Sequence, residues 1–429
     1  MIRLRNTAPY IREIVKKLQD AGYEAYIVGG AVRDLLLNRT PKDYDISTAA
    51  TPQEIRNVFG RRQARIIGKR FRLVHLHIGR EIIEISTFRR RPNSQGTVPE
   101  KLADTDIPDH MIFDDNDFGT AQEDAFRRDF TVNALFYDPV VDNLIDYTGL
   151  GVDDIRNRIV RIIGNGVERF EEDPVRLLRA LKLVGQYGFS FDDGTEAALI
   201  ASIPLIQHAA QSRLSLELEK ILTSSYSDRI LAAFQRYGFL KYFLPFLADH
   251  WNDELCVRSM QMLSCRNRRV MAERYRNSIS VATATIALPF VAAHFGAREA
   301  GMLWDAKAGA TESEIADVIH EVFRPHAIVR RVTCSAARML FLQPHMLECK
   351  RVSRVAASKS MPHARELLYI QNELWWHRSD LIEVWERQKV RPMEDDGDNP
   401  NSDMADNSAA PRRRRPRRRS RRPDTRQEQ

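Results

Sequence analysis

Apolar residues recur at helical spacing over residues 9–21 (Ile11, Ile14, Val15, Leu18), with charged residues between them and a stop at Gly22, which predicts a first helix. A short apolar strand, Ala25–Val28, comes next, followed by Gly29-Gly30 and a helix over Ala31–Leu37. A second strand is centred on Tyr44 and Ile46, and Thr51-Pro52 opens a helix through Ile55 and Val58 with proline at its first position. Two further strands, Arg72–Ile78 and Glu81–Phe88, flank a hairpin turn at Gly79-Arg80. The N-terminal third is thus expected to be α+β, on a small mixed sheet. Residues 90–118 are polar, hold three prolines and lack periodicity, as a long functional loop would. From Asp153 to about Trp385 the pattern is helix after helix without strand alternation; Leu177, Leu178, Leu181 and Val184 form one such stripe.

Composition changes this picture at the C-terminus. The chain has 429 residues, 43% hydrophobic, with a formal charge of +7. Ten arginines against Asp424 and Glu428 give residues 411–429 a net +8, which leaves the rest at −1. The basic character therefore sits in a tail suited to polyphosphate, nucleic acid or an acidic surface. Residues 392–410 are acidic and poor in hydrophobics, and are expected to be a disordered linker. The first twenty residues have no apolar leader core. The uncharged run between Arg276 and Arg298 contains Asn277, Pro289 and His294, and so predicts a buried helix rather than a membrane span. Four cysteines without CxxC spacing suggest neither a disulfide framework nor a zinc site, as expected of a soluble cytoplasmic protein.

Five segments carry candidate chemistry. Gly29-Gly30-Ala31-Val32-Arg33-Asp34 lies between a strand and a helix, where glycines let backbone approach a phosphate at the helix N-terminus; a plain tight turn has the same look. In Lys42-Asp43-Tyr44-Asp45-Ile46 the acids at i and i+2 of a strand share one face. Two such carboxylates repel unless a cation lies between them, and hard oxygens suit Mg²⁺ together with substrate phosphates; exposed acids at a strand end are the plainer alternative. Glu84, an acid on an apolar strand, is either edge-exposed or aimed at a cation. Arg127, Arg128 and Asp129, read as lying just before an apolar helix, could meet triphosphate and ribose or simply cap that helix. Asp173 and Arg176 share a helix face at i and i+3 and, as a pair, could offer a base edge fixed donors and acceptors; Asp173 with Pro174 is also a good helix start.

In this order and spacing the five segments resemble the class II nucleotidyltransferases of the polymerase-β superfamily, the tRNA CCA-adding enzymes and bacterial poly(A) polymerases, over roughly residues 20–225. The resemblance implies a nucleotidyltransferase head at 1–150, a helical neck with a base-recognition motif at 151–225, an all-α RNA-binding body at 226–390, and the acidic linker and basic tail at 391–429. It implies that Gly29 and Gly30 hold the triphosphate, with Arg33 in the same nucleotide-binding turn. Asp43 and Asp45 would bind two Mg²⁺, and Glu84 or Asp129 would be the third acid. Arg127 and Arg128 would lie near ribose and phosphates, and Glu172, Asp173 and Arg176 would select the base. Gly68-Lys69-Arg70-Phe71 looks like the poly(A) polymerase pattern, and the tail is similar to proteobacterial poly(A) polymerase tails. RNA contacts are accordingly expected at Arg412, Arg413, Arg414, Arg415, Arg417, Arg418 and Arg419. No His-Asp dipeptide occurs, so the phosphohydrolase domain fused to some CCA-adding enzymes is not expected. Thr148-Gly149-Leu150-Gly151 departs from the family, which has a Gly-Gly pair there.

The implied activity is transfer of AMP from ATP to RNA 3′ ends. The alternatives are a CCA-adding or A-adding enzyme and, outside enzymes, an idle RNA-binding protein. Two repelling acids kept at 43 and 45 argue against idleness. The tail has no apolar face, so stable membrane insertion is not expected.

Overall fold

The computed structural model describes residues 7–68, 73–79, 81–90, 117–307 and 309–388. The first helix, α1 (Pro9–Asp20), buries Ile11, Ile14, Val15 and Leu18, the stripe read from the sequence. It leads into β1 (Ala25–Val28), α2 (Gly30–Leu36), β2 (Asp45–Thr48), α3 (Pro52–Phe59), β3 (Ala64–Ile67), β4 (Leu73–Ile78) and β5 (Glu81–Thr87). After the segment outside the described residues come α4 (Ala121–Arg127), β6 (Leu135–Asp138) and β7 (Asn143–Asp146).

These strands make one seven-stranded sheet, order β3-β4-β5-β2-β1-β6-β7, antiparallel except for the parallel β2–β5 pair. The alternation of side chains then sorts its two faces. Ala25, Ile27, Ile46, Val74, Leu76, Ile83 and Ile85 join the α1 stripe in the main core. On the other face, Val28, Phe88 and Phe136 pack with Ala121 and Ala125 of α4, in a smaller aromatic cluster. Asp45 and Glu84 lie on this second face.

The chain continues through α5 (Gly151–Asn157), β8 (Ile159–Val160), α6 (Gly166–Glu172), α7 (Val175–Tyr187), β9 (Ser190–Phe191) and α8 (Asp193–Ser202). Then follow α9 (Gln211–Leu222), α10 (Ser227–Arg236), α11 (Leu240–Phe243), α12 (Pro245–Asp249), α13 (Glu254–Met271) and α14 (Ile279–His294). The last helices are α15 (Glu312–Val322), α16 (Arg330–Leu347), α17 (Val352–Ala356), α18 (Met361–Gln371) and α19 (Ser379–Glu386). The helical reading of this half needs one amendment: β8 and β9 pair in parallel, as a two-residue staple beside α7. α14, the long uncharged run, is buried from Ile279 to Ala292. No helix among the described residues is long and apolar enough to cross a membrane.

A second difference concerns the apolar run Phe130–Leu135, expected to be a helix. The helix is α4, which lies before the arginines and is started by a Thr120–Glu123 capping box. The run itself is a single 3₁₀ turn (Thr131–Asn133) entering β6: Phe130 bridges to Ile162 at its start, and the Leu135 carbonyl accepts from the Gly29 N–H at its end.

Candidate active site

The glycine turn comes first along the chain. Gly29 sits at φ 70°, ψ −134°, a conformation open to glycine, and a Cβ there would lie 3.1 Å from Arg128 Nη1. The turn is thus tight and roofed by a guanidinium. Arg33, one turn into α2, is buried; it donates to Asn133 Oδ1 (2.7 Å), to Asp34 Oδ1 (2.9 Å) and to the Tyr187 hydroxyl (2.6 Å). It therefore ties α2 to the end of α7.

The acids stand across neighbouring strands. β2 begins at Asp45, so Asp43 lies in the bend before it, not on the expected strand face. Parallel pairing sets Asp45 beside Glu84, and antiparallel pairing sets Glu84 beside His75, whose Nε2 is 3.5 Å from the carboxylate. Asp43, Asp45 and Glu84 are all open to solvent. Surrounding protein pushes the Asp45 carboxyl up to about 6, with repulsion from Glu84 and Asp43 adding to it and Arg128 opposing it. The three offer hard oxygen donors in mutual repulsion, which fits a divalent cation that keeps waters and takes further oxygens from phosphates. Among the described residues no group of three or more acidic, His or Cys side chains is placed to hold a metal by itself, so the oxygens of water and phosphate would have to complete such a site.

Arg128 covers this face. It donates to Asp124 Oδ2 (2.8 Å) and Ser47 Oγ (3.3 Å), and its guanidinium lies 5.2 Å from the Phe136 ring centre. Arg127 faces the same Asp124 at 3.5 Å. Asp129 points elsewhere. It pairs with Arg179 Nε at 2.8 Å and accepts from the Phe130 N–H and from Asn133 Nδ2. Burial alone would raise its carboxyl, but Arg179, then Arg176 and the two hydrogen bonds, hold it below the usual range. Of the two candidates for third acid, Glu84 is the one that lies beside Asp45.

The proposed base-reading pair is not formed. Asp173 instead receives Arg213 of α9 on both oxygens (2.9 and 3.0 Å) and Arg179 at 3.2 Å, while bonding the Val175 N–H as a helix start. Burial opposes its ionisation, but Arg179, Arg213 and Arg176 hold its carboxyl low. Arg176 is buried, and its Nη1 donates to Glu172 Oε2 (2.7 Å) and to the Arg169 carbonyl (2.5 Å). Arg176 lies on α7's first turn, but Asp173 stands in extended conformation just before that helix, and Glu172 and Arg213 are the partners the two take. Arg179 and Arg213 were missed from sequence; Arg179 repeats the Arg176 spacing, whereas nothing local marks Arg213. Lys69, Arg70, Phe71 and the tail arginines 412–419 lie outside the described residues.

Comparison with known proteins places the chain among relatives. Residues 25–161 match the family "Poly A polymerase head domain", and residues 188–250 match "Probable RNA and SrmB- binding site of polymerase A". The chain is 33% identical to poly(A) polymerase I of Salmonella typhi over 96% of its length and 88% of the relative's. It is 39% identical to poly(A) polymerase I of Haemophilus influenzae over 56% of this chain, spanning about half (52%) of that relative. A CCA-adding enzyme of Geobacillus sp. is 38% identical over 56% of this chain and 55% of its own. The fold is that of the Bacillus stearothermophilus CCA-adding enzyme solved with CTP (TM-score 0.61, 23% identity, 89% of this chain and 82% of that one).

Proposed function

Because the chain belongs to the class II nucleotidyltransferase family of bacterial poly(A) polymerases and CCA-adding enzymes, we propose that it is a template-independent poly(A) polymerase of the cytoplasm, transferring AMP from ATP to RNA 3′-hydroxyls and releasing pyrophosphate. The observation that carries this reading is identity to proteins named poly(A) polymerase I along nearly the whole chain, body included. Sequence likeness to the Geobacillus CCA-adding enzyme extends over little more than half of it.

In this reading Asp43 and Asp45 hold two Mg²⁺, with Glu84 as the third acid beside Asp45. Bound there, the metal ions would acidify the RNA 3′-hydroxyl and neutralise charge on the leaving pyrophosphate. The Gly29-Gly30 turn lets the triphosphate approach backbone, and Arg128, already over that turn, adds positive charge with Arg127 beside it. Arg33 fixes α2 against Asn133 and Tyr187, so the turn is rigid before substrate arrives. Asp129 holds Arg179, which with Arg213 orients the Asp173 carboxylate toward a base edge. Arg176 completes that wall through Glu172.

Each nucleoside triphosphate supplied singly, and CTP and ATP supplied together, with labelled oligo(A) and with a tRNA lacking its CCA end, tests the reading. ATP alone should extend both into long ladders. Ordered addition of C, C and A to the tRNA, followed by arrest, would establish the CCA-adding alternative instead.

A further inference from the structure

α16 packs in the body against α14, α15 and α18. With α15 and α17 it borders an open groove of about 400 Å³, far along the chain from the residues matched to an RNA-binding family. Arg338, Phe341 and His345 enter it from α16, Arg351 and Arg354 from the start of α17, and Lys359 from the turn beyond. Glu312 is the one acid lining it, and it is already committed to Arg338 Nε at 3.1 and 3.2 Å. Arg351 and Arg354 form no ion pair among the described residues, so two guanidinium charges stay available at the rim. The Phe341 and His345 rings meet edge to face at 5.7 Å, and both are only partly buried. Burial first, and then Arg351, hold the His345 imidazole below its ordinary range, so at neutral pH it meets a ligand as an uncharged ring.

Cations spread along a groove with aromatic faces between them form the pattern that tracks single-stranded nucleic acid. A compact triphosphate site has a different look, with donors converging from one turn and acids for its metal, as on the head's acidic face. We propose that this groove binds single-stranded RNA upstream of the reacting 3′ end, with Arg351 and Arg354 on phosphodiesters and Phe341 against a base. The inference rests on the reading of the chain as an RNA 3′-end transferase, and it gives the body a second contact beside the neck-proximal RNA-binding segment.

The test compares the full-length protein with its Arg351→Ala/Arg354→Ala double variant in fluorescence-anisotropy titrations of an oligo(A) of about 20 nucleotides across a salt series. Two lost phosphate contacts should flatten the slope of log K against log salt by about 1.4 and weaken binding roughly tenfold at low salt. Phe341→Leu, which keeps the apolar volume, should weaken binding about fivefold or more with the slope unchanged. KM for the long primer should rise in the double variant, while kcat at saturating RNA and the extension of a primer of a few nucleotides stay at wild-type values. Equal affinities and slopes for wild type and double variant, at matching circular dichroism, would overturn the proposal. So would a variant that binds RNA normally but loses a second ATP equivalent, since the groove would then be a nucleotide site. The binding readout needs no catalysis, so wild-type protein that binds RNA through the groove yet extends nothing would fault the transferase reading and not the groove.

Discussion

Asp45 is hemmed in by surrounding protein and repelled by Glu84 and Asp43, with Arg128 the nearby charge opposing them. Asp45→Asn keeps the shape of the side chain and relieves that repulsion, so the fold should be as stable as before. If the carboxylate holds a metal against the substrate phosphates, the same change removes several kcal/mol of transition-state stabilisation, and kcat should fall by at least ~10³. Single-turnover AMP transfer together with a urea melt measures both; transfer within tenfold of wild type would remove Asp45 from the mechanism. Arg213 calls for a gentler expectation. Its bidentate pair with Asp173 is half-exposed, so it is worth about 1 kcal/mol, a factor of about five. Arg213→Ala should therefore narrow the ratio of kcat/KM for ATP over CTP about fivefold, leaving RNA affinity unchanged. It is a cleaner probe of base choice than Arg176→Ala, which would also remove one of the two buried arginines, Arg169 and Arg176, that share Glu172.

Elements place these residues, and one close helix crossing shows how narrow the tolerances are. Gly185 lies inside α7, where alanine would favour the helix by about 1 kcal/mol. A Cβ there, however, would stand 2.5 Å from the Ile230 Cα and 2.8 Å from its N in α10, and backbone cannot swing aside as a flexible side chain does. Overpacking of this kind costs about 1–3 kcal/mol, so Gly185→Ala should lower the urea midpoint despite its better propensity. Because α7 carries Asp173's helix start and Tyr187, activity should fall with it. Such distances were beyond the sequence, although the helices themselves were not: the stripes of α1 and of α7 came from period alone. Strand alternation likewise gave Glu84 a face, but not a neighbour. Its place beside Asp45 depends on β2 pairing in parallel with a strand that follows a helix and two other strands, a choice that no local pattern records. Phe130–Leu135 failed for the same reason, since an apolar run too short to show a period took its state from the partners at its two ends, Ile162 and Gly29. At residues 173–176 the expected shared helix face did not form, because Asp173 is extended just before α7, and the ion pairs went to residues 172 and 213.

At the scale of the whole molecule, charge divides the work. The chain before residue 411 sums to −1, so its RNA affinity must come from local clusters such as the α16–α17 groove, whereas residues 411–429 carry +8 in a short stretch. If all ten tail arginines met phosphates, the slope of log K against log salt would gain about −7 for single-stranded RNA, and the contacts realised set how much of that appears. Truncation at Asn407 should therefore weaken RNA binding at low salt, flatten the slope by more than the groove variant does, and shorten the tails made per encounter. The rate of adding one AMP at saturating RNA should hardly move, because the turn, the acids and the wall proposed to read the base all lie between residues 29 and 213. The two losses should also add in log K if, as proposed, the tail and the groove neutralise separate phosphates on one strand. Equal affinity and slope for the truncated and full-length chains would leave the tail without a part in RNA binding. A truncated chain that lost single-AMP addition at saturating RNA would instead tie those arginines to the chemistry itself.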